Sequence, residues 1–222
     1  MKSLKPFVFV AAFVLSFVRA EAEPPQVSAS PAPVRVACVG DSITFGAGAA
    51  PEKSYPSQLQ ALLGSGWQVG NFGVGGRTLL RKGDHPYWKE KAFLDAQKFQ
   101  PNVVVIMLGT NDTKAPNWKF HDEFHNDYRD LVNTFRALPS KPKVYICRPC
   151  PVPAPGNCGI NEANVQSEIS IIDQLAREEG LQVIDIHTAL QPHPELFVDR
   201  IHPNTAGAAI IAATVAKAIA DK

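Results

Sequence analysis

Four short stretches of this 222-residue sequence hold side chains that acyl-transfer chemistry needs. Ser42 stands in "VACVGDSITFGAG", directly after an apolar run and behind Gly40 and Asp41. A serine where a strand gives way to a helix exposes its Oγ and sets its amide where negative charge is favoured. The plain structural alternative is a helix cap. In "FVDRIHPNTAG", Asp199 precedes His202 by three residues, a spacing that on a turn or short helix lets a carboxylate orient an imidazole. Pro203 restricts the backbone of His202. In "NFGVGGRT", Gly76 or its neighbour Gly75 can present a backbone amide to an anion. In "LGTND", Asn111 can donate a side-chain N–H to a developing oxyanion and Asp112 can hold the turn together. Turn and cap chemistry explains each piece taken singly. Taken together, they are the nucleophile, base, orienter and oxyanion donors that a serine mechanism requires.

Such a set works only if the chain brings its four pieces to one edge. The runs "VRVACVG", "WQVGNFG", "NVVVIMLG", "KVYICR" and "LQVIDI" read as strands. Continuous apolarity in "VVVIML" marks a strand buried on both faces. Helix-like segments alternate with them: "YPSQLQALL", "KEKAFLDAQKF", "FHNDYRDLVNTFRAL", "NEANVQSEISIIDQLAREEG" and "TAGAAIIAATVAKAIA". Asn161 or Asn164 caps the fourth helix and Gly180 stops it. The alternation predicts an α/β fold, a mostly parallel five-stranded sheet covered by helices on both faces, with ligands beyond the carboxyl ends of the strands.

Other chemistries fit less well. Gly73-x-Gly75 is followed by Thr78 where a dinucleotide site needs a third glycine, and Thr44 stands where the nucleophile elbow G-x-S-x-G needs one. His121 and His125 lie one helical turn apart, but Asp122 replaces the glutamate of a zinc-protease motif, so no metal is expected. Cys147-x-x-Cys150 runs into prolines that forbid the helix N-terminus redox chemistry favours. Asn111-Asp112-Thr113 spells a glycosylation sequon in a poor place for a glycan. A non-catalytic carbohydrate-binding module would have no use for an intact Ser, Asp and His set.

Lys2 and Lys5, the apolar run from Phe7 to Val18 and the small residues Ala20 and Ala22 read as a signal peptide over residues 1–22, followed by a Pro/Ser/Ala-rich leader over 23–33 and one domain over 34–222. The apolar run is shorter than the roughly 20 residues of a spanning helix, so stable membrane insertion after cleavage is not expected. Cleavage after Ala22 would lower Lys plus Arg from 22 to 19 and Asp plus Glu from 21 to 20, a net charge of −1, which gives no electrostatic reason for a nucleic-acid partner. Export permits disulfides; Cys150 and Cys158 could close the Pro-rich loop, while Cys38 reads as a buried thiol.

The same four stretches resemble the blocks of the SGNH, or GDSL-type, hydrolases over essentially the whole domain. "VGDSITFG" is similar to the first block, with Ser42 as nucleophile and Ile43 replacing the leucine of the family's nickname; "NFGVGG" to the second, with Gly76 as oxyanion donor; "GTND" to the third, giving Asn111; and "DRIHPN" to the last, giving Asp199 and His202. The resemblance implies a flavodoxin-like three-layer α/β/α fold and ester hydrolysis through an acyl-enzyme, with Ser42, Gly76 and Asn111 as the oxyanion hole, Asp41, Gly75 and Asp112 in support, water as acyl acceptor and no cofactor. Among such hydrolases the chain looks similar to exported carbohydrate O-acetylesterases, including those acting on acetylated sialic acid or xylan. The acyl-chain alternatives are a broad esterase, a thioesterase or a lysophospholipase. Trp88 and Trp118, with Tyr87 and His121, are expected near the strand-end face, where aromatic rings can stack on a sugar. Arg77 and Arg148 are expected to meet an acidic one.

Overall fold

The computed structural model describes Met1 and residues 32–220. Apart from Met1, the expected signal peptide, and all but the last two residues of the expected leader, lie outside the described residues. Five strands form one sheet: β1 (Val34–Gly40), β2 (Trp67–Gly73), β3 (Val103–Met107), β4 (Lys143–Arg148) and β5 (Gln182–Asp185). Their spatial order is β2-β1-β3-β4-β5 and every neighbouring pair is parallel. No antiparallel strand joins them, so the "mostly parallel" expectation becomes an all-parallel sheet among the described residues.

Among the described residues, eight α-helices connect and cover the strands: α1 (Ser42–Phe45), α2 (Tyr55–Leu63), α3 (Lys91–Lys98), α4 (Ala115–Trp118), α5 (His121–Arg136), α6 (Glu162–Glu179), α7 (Ile186–Leu190) and α8 (Thr205–Ala220). Successive residues of a strand point to opposite faces, so each central strand feeds two cores. Val36, Cys38, Val105 and Met107 pack with Tyr55 and Leu59 of α2 and Ile211 and Val215 of α8. Ala37, Val39, Val104 and Ile106 pack with Phe93 of α3, Phe124, Tyr128 and Phe135 of α5 and Ile172 and Leu175 of α6. This is the three-layer α/β/α arrangement.

Local signals end the helices as expected. The Asn161 side chain accepts from the Asn164 amide, and Gly180 closes α6 in the left-handed region at φ 61°. The strand in "LQVIDI" stops at Asp185, because that side chain turns to cap α7 by accepting from the Thr188 amide. Helix α5 starts at His121, three residues before the apolar periodicity begins, with Asp122 and Glu123 in its first turn where the helix dipole favours acids.

The chain moves outward from β1 to β2, then returns to place β3 on the other side of β1. Such a reversal opens a crevice at the carboxyl ends of the strands, since the connections leave in opposite directions. Ser42 follows β1, Gly75 and Gly76 follow β2, and Asn111 follows β3. At Gly73 the end of β2 meets the backbone of α1 so closely that a Cβ would stand 2.2 Å from the Phe45 nitrogen.

Candidate active site

Asp41 shapes the turn that carries Ser42. Its buried carboxylate accepts from the Ile43 amide at 2.9 Å and caps α1, a single turn that Gly46 closes at φ 112°. Ser42 is therefore the first residue of a helix and its Oγ leaves the end of β1 toward the crevice. That Oγ lies 2.9 Å from His202 Nε2, a contact between residues 160 apart in sequence.

The other imidazole nitrogen, Nδ1, is 2.7 Å from Asp199 Oδ2, while Asp199 Oδ1 accepts from the amides of Ile201 and His202 at 3.0 and 2.8 Å. One carboxylate thus closes the turn and orients the ring, so the three-residue spacing acts through a turn rather than a helix. Partial burial pushes the Asp199 carboxyl up, but the His202 ring and the two amides outweigh it and hold it below the usual carboxylate range. A carboxylate on Nδ1 fixes the tautomer with Nδ1–H, leaving Nε2 free to accept the Ser42 hydroxyl proton.

Asn111 is buried, and its Nδ2 donates to Arg77 O at 3.1 Å and, at 3.4 Å, to Asp41 Oδ2. The second bond is long and weak, so that N–H is available to a stronger acceptor in the crevice. Of the two candidate glycines, Gly76, at φ 77°, lines the hollow beside Ser42. Gly75 supports it: its carbonyl accepts from Arg77 Nη1 at 2.6 Å, and a Cβ there would lie 3.8 Å from the Ser42 Cβ. The hollow measures about 280 Å³ and is lined by Ser42, Gly76, Asn111 and His202 together with Ala47, Lys114, Cys158, Ile160 and Ile201.

Asp112 does more than steady its own turn. Its two oxygens accept from the amides of Leu79 and Leu80 at 2.9 and 2.7 Å, tying the glycine loop after β2 to the loop after β3. Burial pushes its carboxyl up to about 8 against those bonds, and burial likewise lifts Asp41 to about 6 against the Ile43 amide and the nearby charges of His202 and Lys114.

Several contributors carry no local signal. Asn117 Nδ2 donates to Asn111 O at 2.9 Å and to Asp84 Oδ1 at 3.0 Å. Asp127 on α5 accepts from the Arg81 amide at 2.8 Å. Asn157 Nδ2 donates to Asp199 O at 3.0 Å, joining the Pro-rich loop to the turn that holds His202. Ile160 and Ile201 read as ordinary loop residues; only the tertiary contact makes them a wall.

The expected sugar contacts stand elsewhere, because other groups already hold them. Trp88 donates Nε1–H to Leu79 O, packs edge-on against Phe93 and carries the Arg81 guanidinium 4.0 Å over its ring. Tyr87 is buried with its hydroxyl on Phe72 O. Trp118 stacks on His121, and His125 pairs with Glu178. Arg77 is spent on Glu90, and Arg148 on Asp173 by two parallel bonds and on Asp185 by a third. None of these residues lines the hollow at Ser42. The expected Cys150–Cys158 disulfide is absent: all four cysteines are free, Cys150 packed into the core and Cys158 exposed on the hollow's rim.

Residues 38–210 match the GDSL-like lipase/acylhydrolase family. An acetylxylan esterase of Xylanibacter ruminicola is 42% identical over an alignment 207 positions long, which covers 84% of this chain and 43% of that protein. The chain therefore spans less than half the length of this relative. Among solved structures, Est24, a carbohydrate acetylesterase from Sinorhizobium meliloti, aligns over 84% of this chain and 98% of its own at TM-score 0.66 and 21% identity. The acetyl xylan esterase AlAXEase aligns over 84% and 100% at TM-score 0.64 and 23% identity. These two likenesses are ones of fold.

Proposed function

The chain belongs to the GDSL-like lipase/acylhydrolase family, and on that premise we propose that it is a serine ester hydrolase that removes acetyl groups from a carbohydrate. The observation that carries the chemistry is the Asp199–His202–Ser42 chain, at 2.7 and 2.9 Å. As Ser42 Oγ attacks an ester carbonyl, its proton passes to His202 Nε2, and Asp199 stabilises the imidazolium that forms. The new C–O bond leaves a negative oxygen, which the amides of Ser42 and Gly76 and the Asn111 Nδ2–H receive. The Ser42 amide is open for this because the first amides of a helix have no intrahelical partner. Collapse expels the sugar alkoxide, protonated from His202, and leaves an acetyl-serine. A water deprotonated by His202 then attacks the acetyl carbonyl, and acetate departs as Ser42 recovers its proton.

The 42% likeness to an acetylxylan esterase supports an acetylated glycan, and a hollow of about 280 Å³ lies just under the usual range of small-molecule sites. We extend the proposal to export, on the lysine-flanked apolar N-terminus; the N-terminal residue of protein recovered from the medium or periplasm checks it. Initial rates on aryl acetate, butyrate and octanoate, with acetate release from acetylated xylan, test the activity. Ser42→Ala is expected to lower kcat by about 10⁴-fold or more. A wild type that prefers octanoate moves the assignment to acyl chains, and activity surviving in Ser42→Ala refutes the serine mechanism.

A further inference from the structure

Lys114 is the one cationic residue among those that line the hollow at Ser42. Its side chain makes no hydrogen bond or ion pair with any described residue, although it is partly buried. The arginines nearest in role, Arg77 and Arg148, are both bound to carboxylates. The Lys114 charge also reaches inward far enough to bear on Asp41, beside Ser42.

The backbone under this lysine is held on both sides. Asn117 donates to the carbonyl of Asn111, and Asn164 on α6 donates to the carbonyl of Thr113 at 2.8 Å. Thr113 itself folds its hydroxyl back onto Thr110 O at 2.7 Å. A long flexible side chain is thereby mounted on a rigid turn, which removes the backbone part of the ordering cost when it grips a ligand. Ile160 and Ile201 line the same hollow and bring no polar side chain to it.

We propose that Lys114 is a specificity-determining residue that binds a sugar carboxylate, so that the preferred substrate is an acetylated glycan bearing a uronic acid near the acetylated residue. This rests on the esterase reading above. With the chain's charges nearly balanced overall, preference for an acid must come from a local cation rather than from the field of the whole molecule. The acetyl group sits at Ser42 while the lysine meets a carboxylate on the same or the adjoining sugar.

The test compares kcat/KM for acetate release from two acetylated xylo-oligosaccharides of equal length, one carrying a glucuronic acid branch and one neutral, in the wild-type protein, Lys114→Met and Lys114→Arg. The wild type is expected to favour the acidic substrate by roughly ten-fold, the scale of one partly solvated charge-assisted hydrogen bond. Added salt should shrink that ratio. Lys114→Met should bring the ratio to about one and Lys114→Arg should keep most of it. Because both substrates are measured in each variant, a general loss of folded protein cancels from the ratio. A wild-type ratio of one, or a preference that survives Lys114→Met, overturns the inference while the esterase reading stands. No acetate released from either substrate overturns both.

Discussion

Asp41 is a buried carboxyl one residue before Ser42, and its raised pKa makes it a stability switch. Its folded pKa is lifted from 3.8 to about 6, so the folded state binds the proton more tightly than the unfolded chain. Stability from this group is full below the unfolded value and is lost as pH rises through the folded one, a change on the order of 3 kcal/mol. Asp41→Asn keeps an acceptor for the Ile43 amide but cannot ionise. Its melting temperature is expected to gain on the wild type as pH rises from 4 to 7, and an equal shift at every pH contradicts this. Asp199 has the opposite sign: its lowered pKa stabilises the fold above the unfolded value, and that contribution disappears as acid protonates it. At the same scale, Asn111→Ala is expected to cost about 10²–10³ in kcat with a smaller change in KM, as removal of an oxyanion donor does. That Ser42, Asn111, Asp199 and His202 come together was legible in the sequence, because each stands in a short block with its own turn chemistry. Asn117 and Asn157 were not, since an asparagine reads the same in a sequence whether its amide faces water or the carbonyl of Asn111 or Asp199.

The elements were legible where their signals are local. Asn161 and Gly180 bracket α6, and Asn161→Ala is expected to cost about 1 kcal/mol in a denaturant titration, because the Asn164 amide loses its acceptor. The loops between elements hold the site, and here the decisive bonds run between loops rather than within them. Asp112 joins the loop after β3 to the loop after β2 through two amides. Asp112→Ala leaves both amides buried without partners and is expected to destabilise the protein by about 2–4 kcal/mol, measured by urea unfolding. A loss below 1 kcal/mol would mean that water replaces the carboxylate. The Asp112 side chain was expected to hold its own turn; it also holds the neighbouring one through Leu79 and Leu80, a tie no reading of "GTND" could reveal.

For the whole molecule, the all-parallel sheet sets the chemistry on one side, since each strand delivers its carboxyl end to the same edge and the order reversal beside β1 opens the crevice there. Its core is built without disulfides: Cys38, Cys147 and Cys150 are buried and Cys158 is exposed. A thiol reagent is expected to label one cysteine in the native protein and four after unfolding, and a reductant should leave the melting temperature unchanged. A bridge between Cys150 and Cys158 would instead give two thiols in the unfolded protein.

Strand and helix alternation, the caps of α6 and the four reactive blocks follow from residues within a few positions of one another, because backbone geometry and hydrophobic periodicity are short-range properties. The charges and rings were decided otherwise. Arg77, Arg148 and Trp88 have the composition of substrate contacts but are claimed by Glu90, by Asp173 and Asp185, and by Leu79 with Phe93. Lys114, without notice in the sequence, is left lining the hollow at Ser42. A charged or aromatic side chain serves a ligand only when no nearer group in the folded chain satisfies it first, and which groups are nearer depends on contacts made across tens to hundreds of residues.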